Sequence, residues 1–131
     1  MPHVNRREIA AIFLGGAVGS LLRVWLSRSF STGVADWPWA TFAINVSGSF
    51  ALACLATHLQ QRAQRSYLGP LLGVGLCGAY TTFSTMQIEL VHMADHGRYG
   101  LAGAYAMSSV LAGYLAICAG TALVRRGRVT A

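Results

Sequence analysis

Hydroxyl-bearing side chains are concentrated in one otherwise apolar stretch, GLCGAYTTFSTMQIE, which runs from Gly75 to Glu89. After Gly78 this stretch carries four serine and threonine hydroxyls, at Thr81, Thr82, Ser84 and Thr85. A passive membrane helix has no need of so many hydroxyls. In hydrocarbon, irregular backbone persists only inside protein or beside a polar cavity. If this stretch crosses a bilayer, we therefore expect it to line a polar path.

Asn45 is the second residue whose chemistry stands out, because it lies in another apolar stretch. A buried amide in lipid costs free energy unless it is hydrogen-bonded. One interpretation is a hydrogen bond between helices. The other is that the side-chain N–H groups donate to something that passes through the protein.

Other site chemistries find little support in the sequence. His92 and His96 are four positions apart in HMADH, but Asp95 points to another helix face and a zinc site would need further ligands. No serine has a plausible His and Asp partner, and no glycine-rich loop follows a strand to hold phosphate. The sequence therefore predicts that the protein is not an enzyme.

Composition indicates which elements must position these residues. The chain has 131 residues, of which 54% are hydrophobic and 11% charged, and its net charge is +6. These values are typical of a polytopic membrane protein. All the positive charge is arginine and lies mainly between apolar runs, so we expect a lipid surface rather than nucleic acid as partner. One copy has little room for both a pore and the helices around it, which favours association.

The hydrophobic pattern predicts a single all-α membrane domain with four spans, at about 9–26, 39–58, 68–93 and 100–124. The first is interpreted as an uncleaved span, since no A-x-A-like site ends it. In that span, Gly15 and Gly19 form G-x-x-x-G, which lets another helix approach closely. The third span is too long for one straight untilted helix, and its glycines predict a break near Gly78.

Four spans place both termini on the same side of the membrane. Most arginines would share that side, namely Arg6, Arg7, Arg62, Arg65, Arg125, Arg126 and Arg128, while Arg28, Arg98 and arguably Arg23 face the other. By the positive-inside rule, this distribution predicts cytoplasmic termini.

Three segments in this order resemble the CrcB/Fluc family of small fluoride channels. They are GGAVGSLLR from Gly15 to Arg23, WPWATFAINVSGSF from Trp37 to Phe50, and the hydroxyl-rich stretch described above, which is the most specific. The resemblance covers nearly the whole chain. It implies a passive, fluoride-selective channel that exports fluoride across the cell inner membrane and gives fluoride resistance. It also implies a homodimer of dual topology, in which two copies insert in opposite orientations.

The resemblance also implies residue roles. The anion pore would use Asn45, Phe83, Met86, Ser84, Thr85, Tyr105 and Ser109. Arg23 would raise the anion concentration at an entrance, and Glu89 and Thr82 would be polar helix-packing residues. A structural sodium ion at the dimer centre would be held by the backbone carbonyls of Gly78 and Thr81, and oxygen ligands are what a hard cation prefers.

The chain departs from the family pattern at two positions of the third motif. Met86 stands where the family has a second phenylalanine, and a thioether lacks the positive ring edge that a phenyl group offers to an anion. Ala79 stands where the family usually has glycine. The arginine distribution favours one orientation whereas the family is dual; we give more weight to the motif because it is specific.

Two alternatives from other classes remain open at this point. A small four-span, proton-coupled multidrug exporter would place an essential glutamate in the middle of its first span. Here Glu8 lies at the boundary of that span and Glu89 lies in the third. A membrane scaffold without transport activity would have no need of Asn45 and a hydroxyl-lined break.

Overall fold

Every regular element that the structure describes is a helix. The structure is a computed structural model that describes residues 5–33, 35–60 and 67–127. Its elements are α1 (Arg6–Ser29), α2 (Trp39–Gln60), a π-helix (Gly69–Cys77), α3 (Gly78–Tyr80), α4 (Phe83–Asp95) and α5 (Tyr99–Arg126). Within these ranges α1, α2 and α5 are long and apolar enough to cross a membrane. The predicted all-α membrane fold is confirmed, and dimerisation and dual topology stay predictions.

The third hydrophobic pass is divided between the π-helix, α3 and α4. We predicted a break near Gly78, but this residue has ordinary helical backbone angles (φ −64°, ψ −35°). The chain becomes extended three residues later, at Thr81 (ψ 152°) and Thr82 (φ −147°, ψ 112°). The break therefore lies near Gly78, three to four residues after it, at Thr81 and Thr82. Its cause lies in side-chain hydrogen bonds to the threonine backbone, described below, rather than in the flexibility of glycine.

Glycines bring α1 into close contact with the π-helix. A Cβ atom added to Gly15 would clash with the carbonyl oxygen of Leu71, and one added to Gly75 would lie 2.6 Å from the carbonyl oxygen of Ile12. The two backbones therefore touch with no side chain between them. This is the close approach that the G-x-x-x-G spacing predicts.

Replacing Gly15 with alanine is expected to destabilise this contact by about 1–3 kcal/mol or more, because backbone cannot move aside as a rotamer would. Gly16→Ala is the matched control, since its new Cβ atom would meet Gly75 O at 4.0 Å, an ordinary contact. The melting temperatures of both variants are measured by thermal unfolding in detergent. Equal melting temperatures for the two variants would contradict this packing.

Polar contacts between turns close one end of the bundle. The Arg98 side chain donates from Nη1 to the carbonyl oxygen of Ala35 at 2.7 Å and to Asp36 Oδ1 at 2.9 Å. These contacts tie the α1–α2 loop to the turn between α4 and α5, where Gly97 has a positive φ of 70°. Of the arginines used in the topology prediction, Arg62, Arg65 and Arg128 lie outside the described residues.

Candidate functional site

The break in the third pass is held by Asn45 from α2. Its side-chain Oδ1 accepts a hydrogen bond from the Thr82 backbone N–H at 2.8 Å, and its Nδ2 donates to the Thr82 carbonyl oxygen at 3.0 Å. Asn45 thus satisfies both backbone groups of an extended, buried residue as a neighbouring strand would. This is the inter-helix role foreseen for Asn45. The amide has two N–H bonds, so a second donor is available for another ligand.

Thr82 itself caps α4. Its Oγ1 accepts from the Thr85 backbone N–H at 3.2 Å and shares a hydrogen bond with Thr85 Oγ1 at 2.8 Å. Ser84 Oγ lies 3.4 Å from the same oxygen. Side-chain oxygens of threonine at such a position satisfy N–H groups that have no partner within the helix. The sequence TTFST therefore ends one helix and begins the next.

These caps change the surroundings of two backbone carbonyls, those of Gly78 and Thr81. In a continuous α-helix each carbonyl accepts from the N–H four residues later. For Gly78 that N–H belongs to Thr82, which donates to Asn45; for Thr81 it belongs to Thr85, which donates to Thr82 Oγ1. Both carbonyl oxygens have lost their usual partners, and Gly78 lies at the protein surface. The two oxygens are therefore suited to a hard cation.

A groove of about 310 Å³ adjoins the break. It brings together four of the predicted pore residues, Asn45, Phe83, Met86 and Ser109, and its other lining residues are Gly48, Ser49, Leu52, Thr81, Thr82 and Val110. None of these described residues is charged. The groove therefore presents amide and hydroxyl groups beside apolar walls, without a full positive charge that would trap an anion.

Phe83 and Met86 line this groove in different ways. Phe83 is 69% exposed and stands on the open side. Met86 is only 8% exposed and packs in a cluster with Met93 and Tyr105, so just one edge of it reaches the groove. Met86 is therefore mainly a packing residue in this structure.

Tyr105 lies away from the groove, although it was predicted for the pore. It is completely buried and its hydroxyl donates to Glu89 Oε2 at 2.8 Å, while Thr41 Oγ1 donates to Glu89 Oε1 at 2.5 Å. Glu89 thus joins α2, α4 and α5 through its two carboxylate oxygens. Ser109 Oγ lies beside the Tyr105 hydroxyl but is buried without a well-formed hydrogen bond to any described residue.

A second cavity, of about 280 Å³, opens between the α1–α2 loop and α4. Thr41, Thr85, Glu89 and His92 are among its lining residues. Because Thr82 lines the first groove and Thr85 the second cavity, their hydroxyl–hydroxyl bond lies between the two spaces. Thr85 therefore belongs to the second cavity, whereas Ser84 lines neither and is exposed.

The sequence was less informative about two residues near this region, Arg23 and Thr41. Arg23 is half-buried on α1, one turn before Ser27, a residue of the second cavity, and it forms no ion pair with any part of the chain that the structure describes. Thr41 was not predicted to have a role. Its only signal was a hydroxyl within an apolar span, and its partner Glu89 is distant in sequence.

Comparison with known proteins identifies the family of the chain. The family described as "CrcB-like protein, Camphor Resistance (CrcB)" matches residues 10–121. A protein of Mycobacterium bovis named "Fluoride-specific ion channel FluC 1" is 49% identical over 130 residues, which cover 98% of each chain. One of Novosphingobium aromaticivorans named "Fluoride-specific ion channel FluC" is 38% identical over 120 residues, or 88% of this chain and 94% of that protein. The chain therefore belongs to the CrcB family of membrane proteins.

Proposed function

We propose that the protein is a fluoride-selective channel, as the names of its relatives indicate, and that it lets fluoride leave the cell passively. The observation that carries this proposal is the uncharged groove at the helix break, where Asn45, Phe83 and Ser109 come together. The activity is transport and not catalysis.

Fluoride is small and strongly hydrated, so protein donors must replace its water. The second N–H of Asn45 and the ring edge of Phe83 supply partial positive charge at the groove. Because each of these groups is neutral, an ion can bind and leave again. The half-buried Arg23 guanidinium raises the local anion concentration from outside the groove.

The proposed assembly is an antiparallel homodimer in the cell inner membrane. Its support is the open side of the groove: Phe83, a pore residue, is largely exposed on one protomer. A second copy inserted in the opposite orientation would cover this side and complete two equivalent paths. Gly78, also at the surface, would then face its counterpart near the two-fold axis.

A sodium ion at that axis would be held by the carbonyls of Gly78 and Thr81. The donors fit because both carbonyls have lost their helical partners, and two copies would provide four such oxygens. The ion would fix the two breaks against each other.

Removal of sodium should therefore weaken the dimer. We expect exchange into a sodium-free, potassium-containing buffer to reduce fluoride flux by about tenfold or more and to lower the melting temperature, because a ligand that binds the folded dimer stabilises it. Sodium should restore both. Unchanged flux after complete exchange would refute a structural sodium ion.

A growth experiment tests the proposed function. Bacteria that lack their own fluoride export should regain growth in millimolar fluoride when they express this chain, and Phe83→Ile should not rescue them. A membrane scaffold would tolerate this exposed substitution. Equal growth with Phe83→Ile and the unchanged chain would argue against the channel.

A further inference from the structure

The last turns of α5 form a surface that the proposed channel does not use. An open, shallow surface cavity lies there, and the described residues that line it are Ile117, Cys118, Thr121, Ala122, Arg125 and Arg126. All of them belong to the same helix, and apart from the half-buried Thr121 all are exposed. Along this side of α5, apolar and small residues are therefore followed by a pair of arginines.

This surface faces away from the rest of the protein. The opposite side of α5 carries Gly120, whose added Cβ atom would lie 2.8 Å from the Phe50 carbonyl oxygen on α2, and the buried Tyr105. At 100° per residue, Cys118 and Ala122 lie far around the helix from Gly120. In a membrane-spanning helix, a side turned away from the other helices meets lipid.

Within the described residues, no acidic side chain forms a salt bridge with Arg125 or Arg126. The chain has four acidic residues, and none lies in α5. Among described residues, the one salt bridge joins Arg98 to Asp36. The other paired arginines, Arg6 and Arg7, are followed directly by Glu8 and line none of the cavities described here.

We propose that this surface binds one anionic phospholipid. The two guanidinium groups hold the headgroup phosphate, since arginine donates to phosphate through two parallel N–H bonds. Ile117 lies about 12 Å along the helix from Arg125, so an acyl chain descending from the phosphate can follow the cavity into the hydrocarbon.

Lipid retention measured by native mass spectrometry tests the proposal. The full-length protein should retain phosphatidylglycerol and not phosphatidylcholine with the same acyl chains. Replacing Arg125 and Arg126 together by glutamine should weaken phosphatidylglycerol binding roughly 30-fold, because each arginine near a membrane surface contributes about a factor of five. The matched control replaces Arg6 and Arg7 by glutamine and should leave most of the binding intact. Equal losses from the two pairs would overturn the site.

A second variant tests the cavity without changing the charge. Ala122→Phe fills the acyl-chain path and should weaken phosphatidylglycerol binding several-fold while fluoride flux is kept. Inorganic phosphate should compete poorly, because it lacks the acyl chain. Unchanged binding by Ala122→Phe, or displacement of the lipid by millimolar phosphate, would contradict a lipid site.

Discussion

Asn45→Ala is expected to reduce fluoride flux by about 100-fold. Loss of one hydrogen-bond donor to an ion that is shedding its water raises the barrier to permeation by about 3 kcal/mol. The same change removes both partners of the Thr82 backbone, which is buried at the break. Unpaired buried N–H and C=O groups cost about 1–3 kcal/mol each. The melting temperature of the variant should therefore fall together with its flux.

Ser47→Ala is the matched control for this prediction. Ser47 lies on α2 two positions from Asn45, but its hydroxyl is exposed and bonds to the Ile44 carbonyl oxygen and the Tyr80 hydroxyl. We expect little change in flux or stability. Fluoride efflux from vesicles, corrected for the amount of reconstituted protein, gives the comparison. An Asn45→Ala protein that conducts like Ser47→Ala would contradict the role of the break.

Phe83→Ile should lower flux about tenfold, which corresponds to ~1.4 kcal/mol of barrier, because isoleucine offers no positive ring edge. Its stability as a protomer should barely change, since the Phe83 side chain is largely exposed.

Met86→Leu should instead keep flux within about threefold, because Met86 is buried and leucine conserves its volume.

Met93→Leu separates packing from ion contact. Met93 belongs to the same buried cluster as Met86 but does not line the groove. If Met86 acts by shape, the leucine variants at the two positions should have similar flux and melting temperature. A much lower flux for Met86→Leu alone would mean that the sulfur contacts the ion.

Local sequence patterns were sufficient for the architecture. Each long apolar run predicts a helix at its own position in the chain. The glycines of α1 predict close packing because small residues recur on one face of that helix. The length of the third apolar run and its glycines predict an interrupted helix. Each of these signals lies within a single segment of the chain.

The details of the site depend on contacts between distant residues. The break lies at Thr81–Thr82 because Asn45, 37 positions away, pairs with Thr82. Glycine flexibility suggested Gly78, but flexibility permits a break and does not locate one. In the same way, burial of Tyr105 against Glu89, and the packing of Met86, follow from how α4 meets α5. The periodicity of the sequence does not predict how α4 packs against α5.

Efflux of fluoride and chloride from the same proteoliposomes tests the central claim most directly. Vesicles that contain the purified protein and both anions are given a defined membrane potential, and ion-selective electrodes record each anion outside. We predict rapid release of fluoride with no chloride above that of protein-free vesicles. Release of both anions at similar rates, or of neither, would contradict a fluoride-selective channel.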